Sequence, residues 1–343
     1  MHQGSLALLL HAHLPWVRHP EHEEFLEEDW LYEAITECYI PLLKMLRRMV
    51  AEKVPLKITF TLTPSLCAML RDPLLQKRAE RYLERGYELA CMEIDRTSND
   101  AALNGISRHY QHVFRESLDF YQKEIHRDIV GAFAQLQKDG IIEIITCAAT
   151  HGFLPLMEIV PEAMRAQVLI GRDYHRECFG RDPEGIWLPE CAYIPHIDDI
   201  LQEANLRWFI ADAHGLMYGE PRPRFAIYAP YFTPAGPAVF GRDRESSSRS
   251  GVQGRGIRAT PPTVISTAIS AWIFPRTTST RFCPAPVFGE TQASSTIGSP
   301  ARPKRKSTTG AGPWRRRTTM PSTSCKTGCA RSSTSEPCCP SNR

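Results

Sequence analysis

Short apolar runs alternate with longer stretches of helical period through the first two-thirds of this chain. SLALLLHA (5–12) is apolar on consecutive positions, which suits a strand buried on both faces of a parallel sheet. Residues 29–52 carry Leu31, Ala34, Ile35, Leu42, Leu43, Leu46 and Val50 at helical spacing. KITFTLT (57–63) predicts a second strand, and Pro64-Ser65 after it a helix start. Helical spacing returns from Asn104 to about Lys138, IIEIITCAA (141–149) predicts a third strand, and 161–178 a further helix. GIWLP (185–189), a helix from Pro195 to Ala204, and RWFIAD (207–212) complete the pattern.

Alternating strand and helix argues for an α/β fold with a parallel sheet. Strand after strand ends in His, Glu or Asp: His11-Ala12-His13, Thr150-His151, Glu190 and Asp212-Ala213-His214. Ligands of parallel α/β folds and barrels bind at the carboxyl ends of strands. Five strands by residue 212 are too few for a closed eight-stranded barrel, so an incomplete barrel is expected.

Charge divides the chain in two. Of 41 Lys+Arg and 38 Asp+Glu, 15 and 2 lie in residues 246–343, which makes that part +13 and residues 1–245 −10. All 12 histidines lie in 1–245. From SSSRS (246–250) onward Ser and Thr dominate and no strand or helix period persists. Residues 246–343 therefore read as an aberrant, basic tail expected to be disordered. RPKRK (302–306) and RRR (315–317) raise a nucleic-acid arm as an alternative. The favoured reading is a shifted reading frame. Discarding two nucleotides at the Ser248 codon lets SRSGVQ read Q-V-W-S-A, and the same frame restores acids, aromatics and periodicity further on. No nucleic-acid partner is expected. No run of 18 apolar residues suggests a membrane span, and MHQGSLALLLHAHLPWV lacks the basic start of a signal peptide. A cytoplasmic location follows, in keeping with six scattered cysteines in the first part without a C-x-x-C pair. Cys325 and Cys329 have no second pair or histidine to make a zinc site.

Three strips carry candidate chemistry. In His11-Ala12-His13-Leu14-Pro15 the histidines are two apart and face the same way on a strand. That arrangement suits a zinc ion, a sugar's hydroxyls, or two imidazoles satisfied within the fold, and the strip alone does not choose. His151, in Thr150-His151-Gly152-Phe153-Leu154-Pro155, is on its own more in keeping with a structural role. Glu190 sits in Trp187-Leu188-Pro189-Glu190-Cys191-Ala192-Tyr193, where partial burial beside Trp187 and Tyr193 is expected to perturb its carboxylate. The two aromatic faces also suit stacking on sugar rings. Cys191 is the weaker nucleophile, since a neighbouring carboxylate raises its pKa.

Taken together, HAHLP (11–15), EEDWLYEA (27–34), HGFLP (151–155), WLPECAY (187–193), PYFTPAG and GRDRESS (within 230–247) resemble glycoside hydrolase family 57, in its 1,4-α-glucan branching members. The resemblance spans residues 5–247 and implies an incomplete (β/α)7 TIM-like barrel, here truncated. It implies a retaining reaction in which an α-1,4-glucan such as amylose or glycogen is cleaved through a covalent glycosyl-enzyme and passed to a 6-hydroxyl. By the family pattern Glu190 is the nucleophile, His11, His13 and His151 line the donor-sugar site, and Trp30 is a glucan-binding aromatic. Asp212 and His214 stand at the next strand end. The chemistry calls for no metal and no cofactor. The family's acid/base aspartate lies in a strip resembling D-A-E-L-F-G-H. No such strip occurs here, and the tail's acids are Glu290 and Glu336. Impaired turnover is therefore expected. An α-amylase or 4-α-glucanotransferase of the same family, and a non-catalytic glucan-binding remnant, are the alternatives.

Overall fold

The computed structural model describes residues 4–243, 245–247 and 268–275. Eight strands form one sheet: β1 (Gly4–Ala12), β2 (Ile58–Leu62), β3 (Ile142–Cys147), β4 (Gly185–Trp187), β5 (Trp208–Ala211), β6 (Tyr231–Phe232), β7 (Ala238–Gly241) and β8 (Ala268–Pro275). Their spatial order is β6-β7-β5-β4-β3-β2-β1-β8. The pairings from β7 through β1 are parallel, while β6 on β7 and β8 on β1 are antiparallel. The sheet curls into a half-barrel with helices around it, the incomplete α/β barrel that the sequence predicts.

The five strands read from sequence are present within two residues at each end. The sequence pattern missed β6 and β7, short segments among Pro and Gly. Residues 268–275 fall in the tail expected to be disordered, yet there the backbone of β8 pairs with β1 from Gly4↔Pro275 to His11↔Ala268. Otherwise the shifted-frame and disorder readings of 246–343 lie outside the described residues.

The parallel strands bury both faces, with a period of two. Ile58, Phe60 and Leu62 of β2 and Ile142 and Ile144 of β3 join the larger core. That core is roofed by α1 (Leu26–Ala34), α2 (Ile40–Ala51), α3 (Pro64–Arg71), α4 (Pro73–Arg96) and α6 (Ile129–Lys138). Ile186, Phe209 and Val239 point to a second core with residues of α7 (Pro161–Phe179) and α8 (Ile197–Glu203). The alternate positions Leu9, Ile145, Cys147, Trp187 and Ile210 pack together on the opposite, inner face. Strand alternation therefore aims His11, Thr61, Cys147, Trp187 and Asp212 at one enclosed side of the sheet.

Two helices depart from the sequence pattern. Residues 26–51 are one rod interrupted by a π-helical turn, Ile35–Tyr39. The helical stretch predicted over 104–138 is broken: α5 (Ala101–Asp119) runs into a π-helical turn, Phe120–Glu124. His126 (φ 49°) and Arg127 (φ 65°) then reverse the chain before Asp128 caps α6 by accepting from Gly131 N at 2.7 Å. At one point helix and sheet approach so closely that only glycine fits. A Cβ on Gly171 of α7 would lie 2.2 Å from the Cys147 carbonyl oxygen, and the Gly171 carbonyl accepts from Thr146 Oγ1 at 2.8 Å. Among the described residues no helix is long and apolar enough to cross a membrane.

Candidate active site

Three histidines meet at the carboxyl end of the sheet. His11, near the end of β1, is buried, and its Nε2 shares a 3.0 Å hydrogen bond with His151 Nε2. His13 lies beside both, with ring centroids 6.4 Å from His11 and 3.9 Å from His151. Each ring is held from a different element. The face of His11 stacks on Trp187 at 4.5 Å and 12°. His13 Nδ1 bonds Thr63 Oγ1 at 3.1 Å, and Thr63 caps α3 by accepting from Leu66 N. The turn before His151 is clasped by Gln167 of α7, whose side chain accepts from Thr150 N at 2.9 Å and donates to Thr150 Oγ1 at 2.8 Å. His151 itself is held at φ 56°, in the left-handed region that non-glycine residues rarely enter.

Burial sets the charge of this cluster. It drives the His11 imidazole well below its usual value, with His151, His13 and Arg242 adding repulsion. His13 is lowered to about 3 by burial and then by His151. His151 is lowered by burial, partly offset by a backbone hydrogen bond and the charge of Glu190. The rings are therefore neutral at pH 7, each with one donor and one acceptor nitrogen. They suit hydroxyl recognition and not proton donation. His11 Nδ1 and Thr61 Oγ1 are buried without a partner among the described residues, on positions paired across β1 and β2.

Glu190 follows β4 in a tight turn. Cys191 N donates to Leu188 O at 2.7 Å and Ala192 N to Pro189 O at 3.2 Å. The turn forces Glu190 to φ 57°, ψ 21° and Cys191 to φ 55°. Two consecutive non-glycine residues in the left-handed region store backbone strain of the kind found at functional sites. Glu190 is exposed, in contrast to the partial burial expected from its neighbours, because the turn swings it off the inner face where Trp187 and Cys191 are buried. Cys191 is pushed up to about 12, chiefly by burial, with Glu190 a minor contributor. The thiol is thus unsuited to nucleophilic attack, mainly for a reason other than the neighbouring carboxylate.

The other sequence candidates are placed unevenly. Trp187 is only 3% exposed, and one of its faces is spent on His11, so it positions an imidazole where stacking on a sugar was expected. Tyr193 is 40% exposed but leans the other way: it stacks on Phe209 at 5.6 Å and donates to Asp198 Oδ1 at 3.3 Å. Asp212, just past β5, keeps a buried Oδ1 without a hydrogen-bond partner among the described residues, and its charge reaches Cys191. His214 is exposed on α9 (Ala213–Met217), its Nδ1 3.7 Å from Asp212 Oδ1. Trp30, on α1, is half-buried against the larger core. The sequence reading missed Thr63 and Arg242. Both directly follow a strand, and Arg242 N donates to Ala211 O at 3.0 Å while its charge reaches His11 and Cys191. Position at a strand end was the available signal for Thr63, whereas Arg242 follows β7, a strand the pattern did not reveal. Among the described residues no three His, Cys, Asp or Glu side chains are arranged to hold a metal ion.

Comparison with known proteins accords with this geometry. The family model described as Glycosyl hydrolase family 57 matches residues 7–273. A 1,4-alpha-glucan branching enzyme of Thermococcus kodakarensis is 36% identical over 270 residues, covering 71% of this chain and 39% of that protein. The crystal structure of an alpha-amylase from Thermotoga maritima superposes with a TM-score of 0.69 at 38% identity, covering 72% of this chain and 47% of that one. The GH57-type branching enzyme of Pyrococcus horikoshii gives 0.64 at 35% identity, covering 70% and 47%. The chain thus spans less than half the length of these relatives. With the family model matched over most of the sequence, and with histidines and a strained glutamate gathered at the carboxyl end of a half-barrel, this chain belongs to glycosyl hydrolase family 57.

Proposed function

We propose that this chain carries the nucleophile-bearing barrel portion of a 1,4-α-glucan branching enzyme, acting on glucans such as amylose and glycogen. The observation that supports this most is the strand-end glutamate in a left-handed turn, whose charge reaches His151, itself clustered with the neutral imidazoles of His11 and His13. Glu190 attacks the anomeric carbon of the donor glucan and forms a covalent glycosyl-enzyme, which a 6-hydroxyl of an acceptor chain then resolves. His11, His13 and His151 bond the hydroxyls of the donor sugar. Trp30, Asp212 and His214 serve the glucan around it. A retaining pair needs a second carboxyl about 5–5.5 Å from the first. The strip expected to supply it is absent from the 343 residues. A general acid contributes about 10²–10⁴-fold, so this chain by itself is expected to turn glucan over slowly.

A second reading, an α-amylase, is favoured by the superposition on the Thermotoga enzyme, where water takes the place of the acceptor hydroxyl. One experiment addresses both. A fluorinated glucosyl donor is incubated with the chain, and with a version extended by a second-carboxylate half, and the adduct is mapped by mass spectrometry. Labelling at Glu190, lost in Glu190→Gln, is expected. New α-1,6 linkages from amylose in the extended version distinguish branching from hydrolysis. Labelling at another residue overturns the assignment of Glu190.

A further inference from the structure

The sequence scatters its cysteines, but the fold brings two of them together outside the glucan site. Cys67 lies on α3 and is buried; Cys178 lies on α7 and is half-buried. Cys67 belongs to the larger core and Cys178 packs against it, close enough that each thiol shifts the titration of the other. Arg71, in the last turn of α3, completes the cluster. Its Nη1 donates to Cys178 Sγ at 3.4 Å and to Glu177 Oε1 at 2.8 Å, and its guanidinium lies 5.8 Å from the centre of the Tyr174 ring. Glu177 and Tyr174 thus hold the cation against one sulfur. The neighbouring Cys67 thiol first, and then the charge of Arg71, pull the Cys178 thiol down, while Cys67 is pushed up. Burial pushes Cys38 up to about 11, and also raises Cys147 and Cys191. A partly accessible, cation-paired thiol beside a second thiol is the arrangement that reacts with oxidants.

We propose that Cys178 and Cys67 form a peroxide-reactive dithiol, a modification site in which Cys178 is oxidised first and Cys67 closes a disulfide between α3 and α7. The Cys178 thiolate attacks one oxygen of a hydroperoxide and the O–O bond breaks. The leaving oxygen takes a proton and departs as water, or as an alcohol from an alkyl peroxide, and Cys178 becomes a sulfenic acid. The Cys67 sulfur, giving up its proton, then attacks the Cys178 sulfur. The S–O bond breaks, its oxygen leaves with that proton as water, and the S–S bond forms. Two thiols have lost two electrons and the peroxide has gained them. The bridge would tie α3, whose cap Thr63 holds His13, to α7, whose Gln167 holds the His151 turn. The proposal is independent of the reading of the glucan site.

The test is to treat the native chain with dilute hydrogen peroxide at neutral pH, digest it without reductant, and map the peptides by mass. A Cys67–Cys178 bridge is expected to be the first product. In Cys67→Ala, a dimedone adduct is expected on Cys178 ahead of Cys38 and Cys91. Arg71→Gln is expected to slow bridge formation by about threefold or more, as thiolate content falls. Brief alkylation of the untreated wild-type chain, which needs no variant to fold, is expected to label Cys178 before Cys38 and Cys91. The proposal is overturned if Cys178 bridges to any other cysteine, if Cys38 or Cys91 is oxidised or alkylated first, or if Arg71→Gln leaves the rate unchanged.

Discussion

Glu28 and Glu190 are carboxylates of one chain in opposite circumstances. Glu28, in the first turn of α1, is 1% exposed. It accepts from His19 N at 2.8 Å, from Tyr32 OH at 2.8 Å, and from Arg78 Nη1 at 2.7 Å on each oxygen. Arg78 also donates to the carbonyls of His19 and His22, so one ion pair fastens α4, α1 and the segment leading into α1. Glu190 is exposed, sits on a strained backbone, and has no hydrogen-bonded partner on its carboxylate among the described residues. Saturation of a buried carboxylate marks a structural joint. A free carboxylate held in an unfavourable conformation marks a group placed for something other than stability.

The largest expected effect comes from breaking the saturated joint. Glu28→Ala leaves Arg78 largely buried without its counter-charge, and removing one partner of such a pair costs about 3–5 kcal/mol. Urea denaturation of the chain measures this. A cost below about 1 kcal/mol would mean that water readily replaces the carboxylate, and the contrast with Glu190 would fail.

Glu190→Asn is the counterpart and is expected to act the other way. Asn tolerates the left-handed region better than Glu, and relief of strain there is worth up to about 1 kcal/mol. The variant should unfold at the same or slightly higher urea concentration, while glycosyl labelling at the site is lost. A clear loss of stability would show that the Glu190 side chain is itself part of the packing.

How far the sequence foretold these two regions depends on how local their causes are. The strands were legible because both faces of a parallel sheet are buried, which leaves runs such as ITFTL and IEIITC. The candidate site was legible as polar residues at or just beyond the ends of such runs: His11, His151, Glu190 and Asp212. The side-chain directions were not legible. Whether Trp187 faces a sugar or His11 depends on β1 and β4 meeting across the half-barrel, and Tyr193 turns to Phe209 because α8 packs on that side. The Glu28–Arg78 joint and the Cys67–Cys178 pair join residues far apart in the chain, and no periodicity records such a contact. The break at His126-Arg127 was hidden because both residues suit a helix, and only their positive φ reveals the turn.

The smallest effect compares two settings for a buried imidazole. His13 and His175 are both lowered to about 3, yet His13 is held by Thr63 while both ring nitrogens of His175 are buried without a hydrogen-bond partner among the described residues. The His175 ring lies tilted against Phe179 at 4.6 Å; burial first and the charge of Arg181 second oppose its protonation. In the unfolded chain a histidine titrates near its ordinary value of about 6.5. Between that value and about 3 the unfolded state therefore binds more protons than the folded one, and stability falls as pH drops through this window. The chain should lose urea resistance steadily from pH 7 towards pH 4. His175→Leu removes one contributor without stripping a hydrogen bond from any neighbour. At pH 7.5 it should change stability by less than about 1 kcal/mol, as volume-conserving apolar swaps do. At pH 5 it should outlast the wild type. His13→Gln should flatten the same acid slope but also free Thr63 Oγ1 and loosen the histidine cluster, so it should weaken glucan binding where His175→Leu leaves it intact. Equal acid slopes for the wild type and His175→Leu would mean that the α7 histidine already finds a proton's worth of solvent in the folded state.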